Sequence, residues 1–485
     1  MQRSPLTGAA VAALTLTLAA AAAPSKADAA VNAPAGASAA PPAAASLAAD
    51  LEALKAQLSA LQARLTELEA AQQAGAQKLE QTAEQTETLA LASTEQQEAI
   101  DRGADNLARA LGESAASGWV ARWQWKGDFR YRNETIDQQY TTAVRNRDRI
   151  RARFGAMARV NDTMRVELQL ATTEGADARS SNQSLSDVNS RKPIELDVAY
   201  MEWMPAEQWR ITAGKMRYPW VRTSSFFFDN DINPEGFAAS WQQGANGFFG
   251  SAFVTRLAER ANFADSSMQG VQGGYRNVYG DGGRVLLAAS YYDHSAVGGY
   301  NVIQSGAAGG YFGNSTGTGA ALCRTAVVGA TGTCLADDFD VVELLGEWQF
   351  KLADRPVLLY ANLARNTAAK FQPQGLDTAY AVGFNYGRAV ASIPGSWEFG
   401  YLYQRVEKDA LFGQWIDSDF AAGGTDGGGS AFRVAYQFSP NARVNVSYLM
   451  TETNLNVPVA VTVPVPATVR GRDYDRLQVD VNWTF

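Results

Sequence analysis

The amino-acid sequence predicts an all-β transmembrane antiparallel β-barrel of about sixteen strands, preceded by an N-terminal α-helical coiled coil. Three observations carry this reading. Long stretches alternate apolar and polar residues with the period of a strand. The connections between them alternate between tight turns and long loops. The tryptophans gather near the strand ends on one side. The last stretch, "RLQVDVNWTF" (residues 476–485), shows the alternation most clearly. Leu477, Val479, Val481, Trp483 and Phe485 share one phase, and Arg476, Gln478, Asp480, Asn482 and Thr484 the other. Period two is the strand period, so one face is oily from end to end.

The elements follow in chain order. Residues 1–29 have a basic start at Arg3, an uncharged run from Leu6 to Pro24 and a small-residue site at Ala27-Asp28-Ala29, the pattern of a secretory signal peptide. Residues 30–46 form an Ala/Pro/Ser-rich linker. Leu47, Leu51, Leu54, Leu58, Leu61, Leu65 and Leu68 then mark a heptad seam, predicting a left-handed coiled coil over residues 47–112. The alternative is an amphipathic helix lying on another surface. Leucine at both core positions leaves the number of strands in the coil open. Later windows hold no run of the ~20 apolar residues that a membrane helix needs, which leaves strands as the spanning element.

Residues 119–485 change character: glycine is frequent and alternating segments recur between turn residues. The first eight are residues 121–134, 147–160, 163–174, 194–204, 208–216, 235–243, 247–257 and 267–278. The second eight are residues 284–293, 339–350, 355–366, 377–388, 396–407, 430–439, 442–453 and 472–485. Short turns on one side and long loops on the other are the pattern of an outer-membrane barrel, and an even count lets the sheet close. Nine of the eleven tryptophans (119, 123, 125, 203, 209, 241, 348, 397 and 483) fall near strand ends on the short-turn side. That is an interfacial girdle, and Phe485 is its last member, facing lipid.

The same alternation assigns the lumen. In residues 145–162, Ile150, Ala152, Phe154, Ala156 and Ala158 make the lipid face, so Arg147, Arg149, Arg151 and Arg153 point inward. On the preceding strand, Trp123, Trp125, Phe129 and Tyr131 face lipid and Lys126, Asp128, Arg130 and Arg132 the lumen. The expectation is a basic wall that raises the local anion concentration; the alternative is a cluster neutralised by acids of the loops. Residues 119–485 hold 35 Lys+Arg against 37 Asp+Glu, so such a wall is local. The third long connection, within residues 214–238, carries Phe226, Phe227 and Phe228, which predicts insertion into the barrel as a constriction loop. Its charges are Lys215, Arg217, Arg222, Asp229, Asp231 and Glu235; an external aromatic patch is the other reading. Acids on that loop would reduce the anion preference to a weak one.

Cys323 and Cys334 stand in a Gly/Thr/Ala-rich loop and are expected to form a disulfide, as suits an exported protein. Two cysteines and the single His294 fall short of the four ligands zinc wants, so no metal or cofactor is expected. A nucleophile with a base is also lacking, which argues against an enzyme. No Gly-rich phosphate loop or basic nucleic-acid surface stands out.

The stretches "WQWKGDFRYRNE", "RARFGAMARVND", "ELQLATTEGADARSSNQSLSD", "IELDVAYMEWMP" and "ITAGKMRYPW" with "FFFDNDINPEGFA" carry a family likeness. The chain resembles the bacterial "putative porin" family, related in plan to the phosphate-selective porins O and P. The resemblance implies a 16-stranded outer-membrane channel, a trimer in outer-membrane lipid, with its coiled coil in the periplasm. It makes Trp483 and Phe485 the C-terminal signal for the barrel-assembly machinery. The expected function is passive diffusion of small hydrophilic solutes. The rival is a structural protein that tethers the outer membrane to the cell wall through residues 47–112.

Overall fold

The computed structural model describes Ser59 and residues 122–485, apart from residues 176, 187, 224–225, 281, 302–309, 325–331 and 464–465. The expected signal peptide, linker and, Ser59 apart, coiled coil lie outside the described residues. Sixteen long strands form one sheet. They are β1 Trp123–Gln138, β2 Arg145–Arg159, β3 Met164–Thr172, β4 Ile194–Trp203, β5 Trp209–Lys215, β6 Glu235–Gln242, β7 Gly247–Ala258 and β8 Ser266–Tyr279. There follow β9 Gly283–Ser295, β10 Asp340–Leu352, β11 Arg355–Asn366, β12 Thr378–Gly387, β13 Trp397–Val406, β14 Gly427–Ser439, β15 Ala442–Thr453 and β16 Arg472–Thr484. Each pairs antiparallel with the next, and β16 returns to β1 with Trp483 opposite Phe129 and Asp480 opposite Arg132. The barrel is closed, so no long edge is left unpaired.

Closure extends to the last residue: Gly127 and Phe485 exchange backbone hydrogen bonds of 2.9 and 3.0 Å. The Phe485 ring lies over Gly127, where any side chain would collide with it. Where β3 stops at Thr172, Gln183–Ser184 of the following loop pair with Ile150 and Arg149 and cover the exposed part of β2. On the short-turn side, Ala353 and Asp354 both take positive φ, the twist-matched two-residue turn between β10 and β11.

The outward phase is apolar along the middle of the strands. Phe154, Leu168, Phe248, Leu287, Leu344, Leu363, Val382 and Val434 are exposed on it, and Trp125, Trp203, Trp209, Trp348 and Trp483 form a belt at its short-turn end. The belt is knit by Trp125 stacked on Phe154 (5.5 Å) and by Trp348 Nε1 donating to Tyr279 (2.7 Å). The hydrophobic core lies inside the barrel. Two connections, residues 216–234 and 407–426, fold inward and pack against the lumen side of β7 to β14. There Phe253 and Phe249 cover the cross-strand partners Gly270 and Gly274, which have no room for side chains of their own.

Candidate functional site

The lumen has two walls of opposite character. On one, β1 and β2 bring Asp128 opposite Arg153, Arg130 opposite Arg151, Arg132 opposite Arg149 and Glu134 opposite Arg147. The arginine ladder expected from the sequence is therefore interleaved with carboxylates. Asp128 accepts from Arg151 and Arg153, both at 2.7 Å. Glu134 holds Arg147 and, at 2.5 Å, Arg476 of β16. Arg132 pairs with Asp480 (2.6 Å) and with Asp419 of the 407–426 connection (2.9 Å). Arg149 reaches Glu174 (2.8 Å) and the Asn182 carbonyl (3.0 Å). Lys126 pairs with Glu167 (2.5 Å), while Arg130 donates to the neutral Asn182 side chain. Arg132, Arg149 and Arg151 are buried. Buried arginines need such partners, because an uncompensated charge there costs several kcal/mol.

The opposite wall is mainly apolar, with a few buried polar side chains such as Glu343 and Asn362, and receives the 216–234 connection. Trp220 stacks on Phe253 of β7 with ring centroids 4.2 Å apart and also meets Tyr292 of β9 (5.6 Å). Phe226, Phe227 and Phe228 are buried in the same cluster, so the aromatic run fills the barrel and forms no external patch. Burying each such ring contributes about 1.5–3 kcal/mol. The backbone groups carried inside also need partners. Gln272 of β8 clamps Val221 through both its backbone N–H (2.8 Å) and its C=O (2.9 Å). Gln404 of β13 accepts from the Phe226 N–H at 3.0 Å.

The second inserted connection was not anticipated from the sequence. It reads "LFGQWIDSDFAAGG" over residues 411–424, aromatics beside paired aspartates, the same signature as "FFFDNDINP". The two connections lock together: Asp229 N–H donates to the Trp415 carbonyl (2.9 Å) and Ser418 N–H to the Asp229 carboxylate (2.8 Å). Four aspartates meet there, and their surroundings shift them in opposite directions. Burial, with Asp417 nearby, holds Asp229 well above the usual carboxylate range. Burial and Asp419 push Asp417 up to about 7. Burial opposes ionisation of Asp231 and Asp419 too, but Arg151 and Arg130 outweigh it at the first, and Arg476 and Arg132 at the second.

Two cavities flank this lock. One of about 220 Å³ is lined by Arg130, Arg132, Arg151 and Arg179 and by Asp229, Asp231, Asp417 and Asp419. The other, about 590 Å³, is lined by Arg217, Arg222 and Arg433 with Tyr218, Trp220, Thr223, Asn230, Ile232 and Asn233, and by no carboxylate. Arg433 of β14 lines both. Its guanidinium sits 4.1 Å from the centre of the Phe226 ring, as that of Arg222 sits 3.8 Å from Tyr218. Arg217 is balanced by Glu167 at 2.7 Å, and Arg222 bonds the Phe228 carbonyl and Asn230 at 3.0 Å each. The barrel interior thus holds charged cavities on both sides of an inserted loop.

The family model described as "Putative porin" matches residues 135–465, more than half of the chain. The chain belongs to this family. It is a porin, a channel of the outer membrane. Among solved structures this porin is similar to OprB of Pseudomonas putida in its high-pH structure, at 12% identity over 77% of this chain and 97% of that one, with a TM-score of 0.48. It is similar also to OmpT of Vibrio cholerae carrying a loop L8 deletion, at 14% identity, 75% and 100% coverage and a TM-score of 0.41. OmpF of Salmonella typhi in complex with daunomycin follows at 12% identity, 75% and 97% coverage and a TM-score of 0.43. No curated protein matches the chain.

Other expected residues fall as follows. Lys215 and Glu235 are not on the inserted segment: they end β5 and begin β6 and pair with each other at 2.7 Å, in phase with the outward-facing Phe237. The alternation of β5 and β6 simply runs one residue further than the loop. Cys323 and Cys334 are bonded, with Cα atoms 5.6 Å apart, in the connection between β9 and β10. His294 packs against Phe339 and Phe412 and shares a hydrogen bond with the Phe339 carbonyl. Trp483 and Phe485 are exposed on the outward face.

Proposed function

We propose that this porin is a passive diffusion channel for small hydrophilic solutes with a weak preference for anions. The observation that carries this is the 590 Å³ cavity with three arginines and no carboxylate on its lining. Arg217 is offset by Glu167, which leaves Arg222 and Arg433 as the arginines on this lining without an ion pair among the described residues. Fixed cations along a narrow water path raise the local anion concentration. The ladder on β1 and β2 contributes little to this field, since its arginines are matched by acids. The mixed cavity beside it, with aspartates on the loops, keeps the preference weak. In a trimer, as proposed here, each barrel conducts separately, and the heptad seam over residues 47–112 supports a periplasmic coiled coil joining the protomers.

The test is the zero-current potential of the purified, folded protein across a potassium chloride gradient in a planar bilayer. It should settle on the chloride side of zero, modestly. A cation-side potential at neutral pH overturns the reading.

A further inference from the structure

We propose that Arg433 is a binding site for small organic carboxylates within the lumen. The inference rests on the reading of this path as anion-preferring. Among the described arginines lining the two cavities, Arg433 stands apart: each of the others holds a hydrogen bond or an ion pair, whereas the Arg433 side chain donates to no described protein group and has no described carboxylate within 4.0 Å.

Its orientation is nevertheless fixed. The guanidinium lies 4.1 Å from the centre of the Phe226 ring, and Phe226 is held by the Gln404 contact to its backbone and by Phe420, centroids 5.4 Å apart. A guanidinium held over a ring keeps its in-plane N–H fork available. That fork matches the two oxygens of a carboxylate, giving two parallel charge-assisted hydrogen bonds. The same residue borders the larger cavity, whose Tyr218, Trp220 and Ile232 offer apolar surface to a short carbon chain. Arg222 lines that cavity as well and can attract a second carboxylate. On the other side stand Asp229, Asp231, Asp417 and Asp419, which disfavour an anion lodged there. The occupant is thus a small mono- or dicarboxylate seated from the basic cavity.

Succinate is the probe, added to chloride-conducting channels of the full-length protein, with sulfate as a carbon-free dianion. Succinate should interrupt the current in discrete blockades longer than those of sulfate. In Arg433→Gln the blockades should shorten about tenfold or more, the scale of a lost charge-assisted pair. In Arg433→Lys, which keeps the charge without the fork, they should also shorten. Folding of each variant is checked by its heat-dependent gel shift, and if Arg433→Gln does not fold, Arg433→Lys decides alone. Blockades of unchanged length in the folded variants, or sulfate blockades as long as those of succinate, overturn the site. The zero-current potential from the same bilayers separates the two readings. Anion preference without Arg433-dependent blockade defeats the site alone. Blockade without anion preference defeats the proposed function and leaves the site standing.

Discussion

The two walls of the lumen solve the same problem by different means. Along β16, β1, β2 and β3, charged side chains face inward and are matched pair by pair, as Arg132 with Asp480 and Lys126 with Glu167. Along β7 to β13 the inward phase is mainly apolar, with Gln272, Glu343, Asn362 and Gln404 hydrogen-bonded within it, and is covered by Trp220 and Phe226–Phe228 from the inserted connection. The densest cluster of cations is therefore electrostatically quiet. In the proposed function the selectivity comes from Arg222 and Arg433, which line the cavity without a carboxylate. Charge density alone is a poor guide to a pore's field; the charge left unpaired is what matters.

The largest effect is expected on the paired wall. Glu134 is fully buried and serves Arg147, Arg149 and Arg476 together. Glu134→Gln should destabilise the barrel by about 3–5 kcal/mol, the cost of breaking a buried ion pair, read from urea unfolding of the folded protein in detergent. On the other wall, Trp220→Ala removes the ring stacked on Phe253. About 3–5 kcal/mol of packing should be lost, seen as noisier current and larger conductance while the strand ladder persists. A stable, quiet Trp220→Ala channel would show that the apolar wall does not hold the connection in place.

A smaller effect concerns pH. Asp417 is raised by burial to about 7, from an ordinary value of 3.8. Below about pH 4 the carboxyl is protonated whether or not the connections are seated, so nothing is lost there. Between that point and about 7 the unseated form ionises first, and seating weakens as pH rises. Above about 7 the ionised Asp417 also subtracts from the field of Arg433. Anion preference should therefore fall between pH 6 and pH 8, and Asp417→Asn should flatten the profile. The least effect is expected from replacing Cys323 and Cys334 together with Ser. The bond orders only its own connection, worth about 2–3 kcal/mol on the chain-entropy model, so the heat-dependent gel shift and the mean conductance should barely move.

Most of the barrel was legible in the chain because lipid imposes a strict alternation on every strand. The strand limits differ most where local rules mislead. Gly427, Gly428 and Gly429 read as the end of a long connection but pair with Thr453, Glu452 and Thr451. Glycine is required there: a side chain at Gly429 would strike the Met450 carbonyl. The end of β1 runs on to Gln138, because β16 supplies partners as far as Tyr474. The inward phase of the ladder could be read, but its neutralisation could not. Asp480 and Asp419 lie far along the chain from Arg132 and meet it only when the barrel closes and a loop folds in. Arg433 left no pattern to find, being the single charged residue on its strand.

The measurement that bears most directly on this account compares two changes in the same bilayers. One removes a matched pair, Arg132→Gln with Asp480→Asn, leaves Asp419 paired with Arg476 and keeps the net charge. The other removes the unmatched Arg433 as Arg433→Gln. Zero-current potentials across a potassium chloride gradient should stay in place for the pair and move toward cations for Arg433→Gln. A potential that moves with the pair and not with Arg433 would place the filter on the arginine ladder and contradict the account.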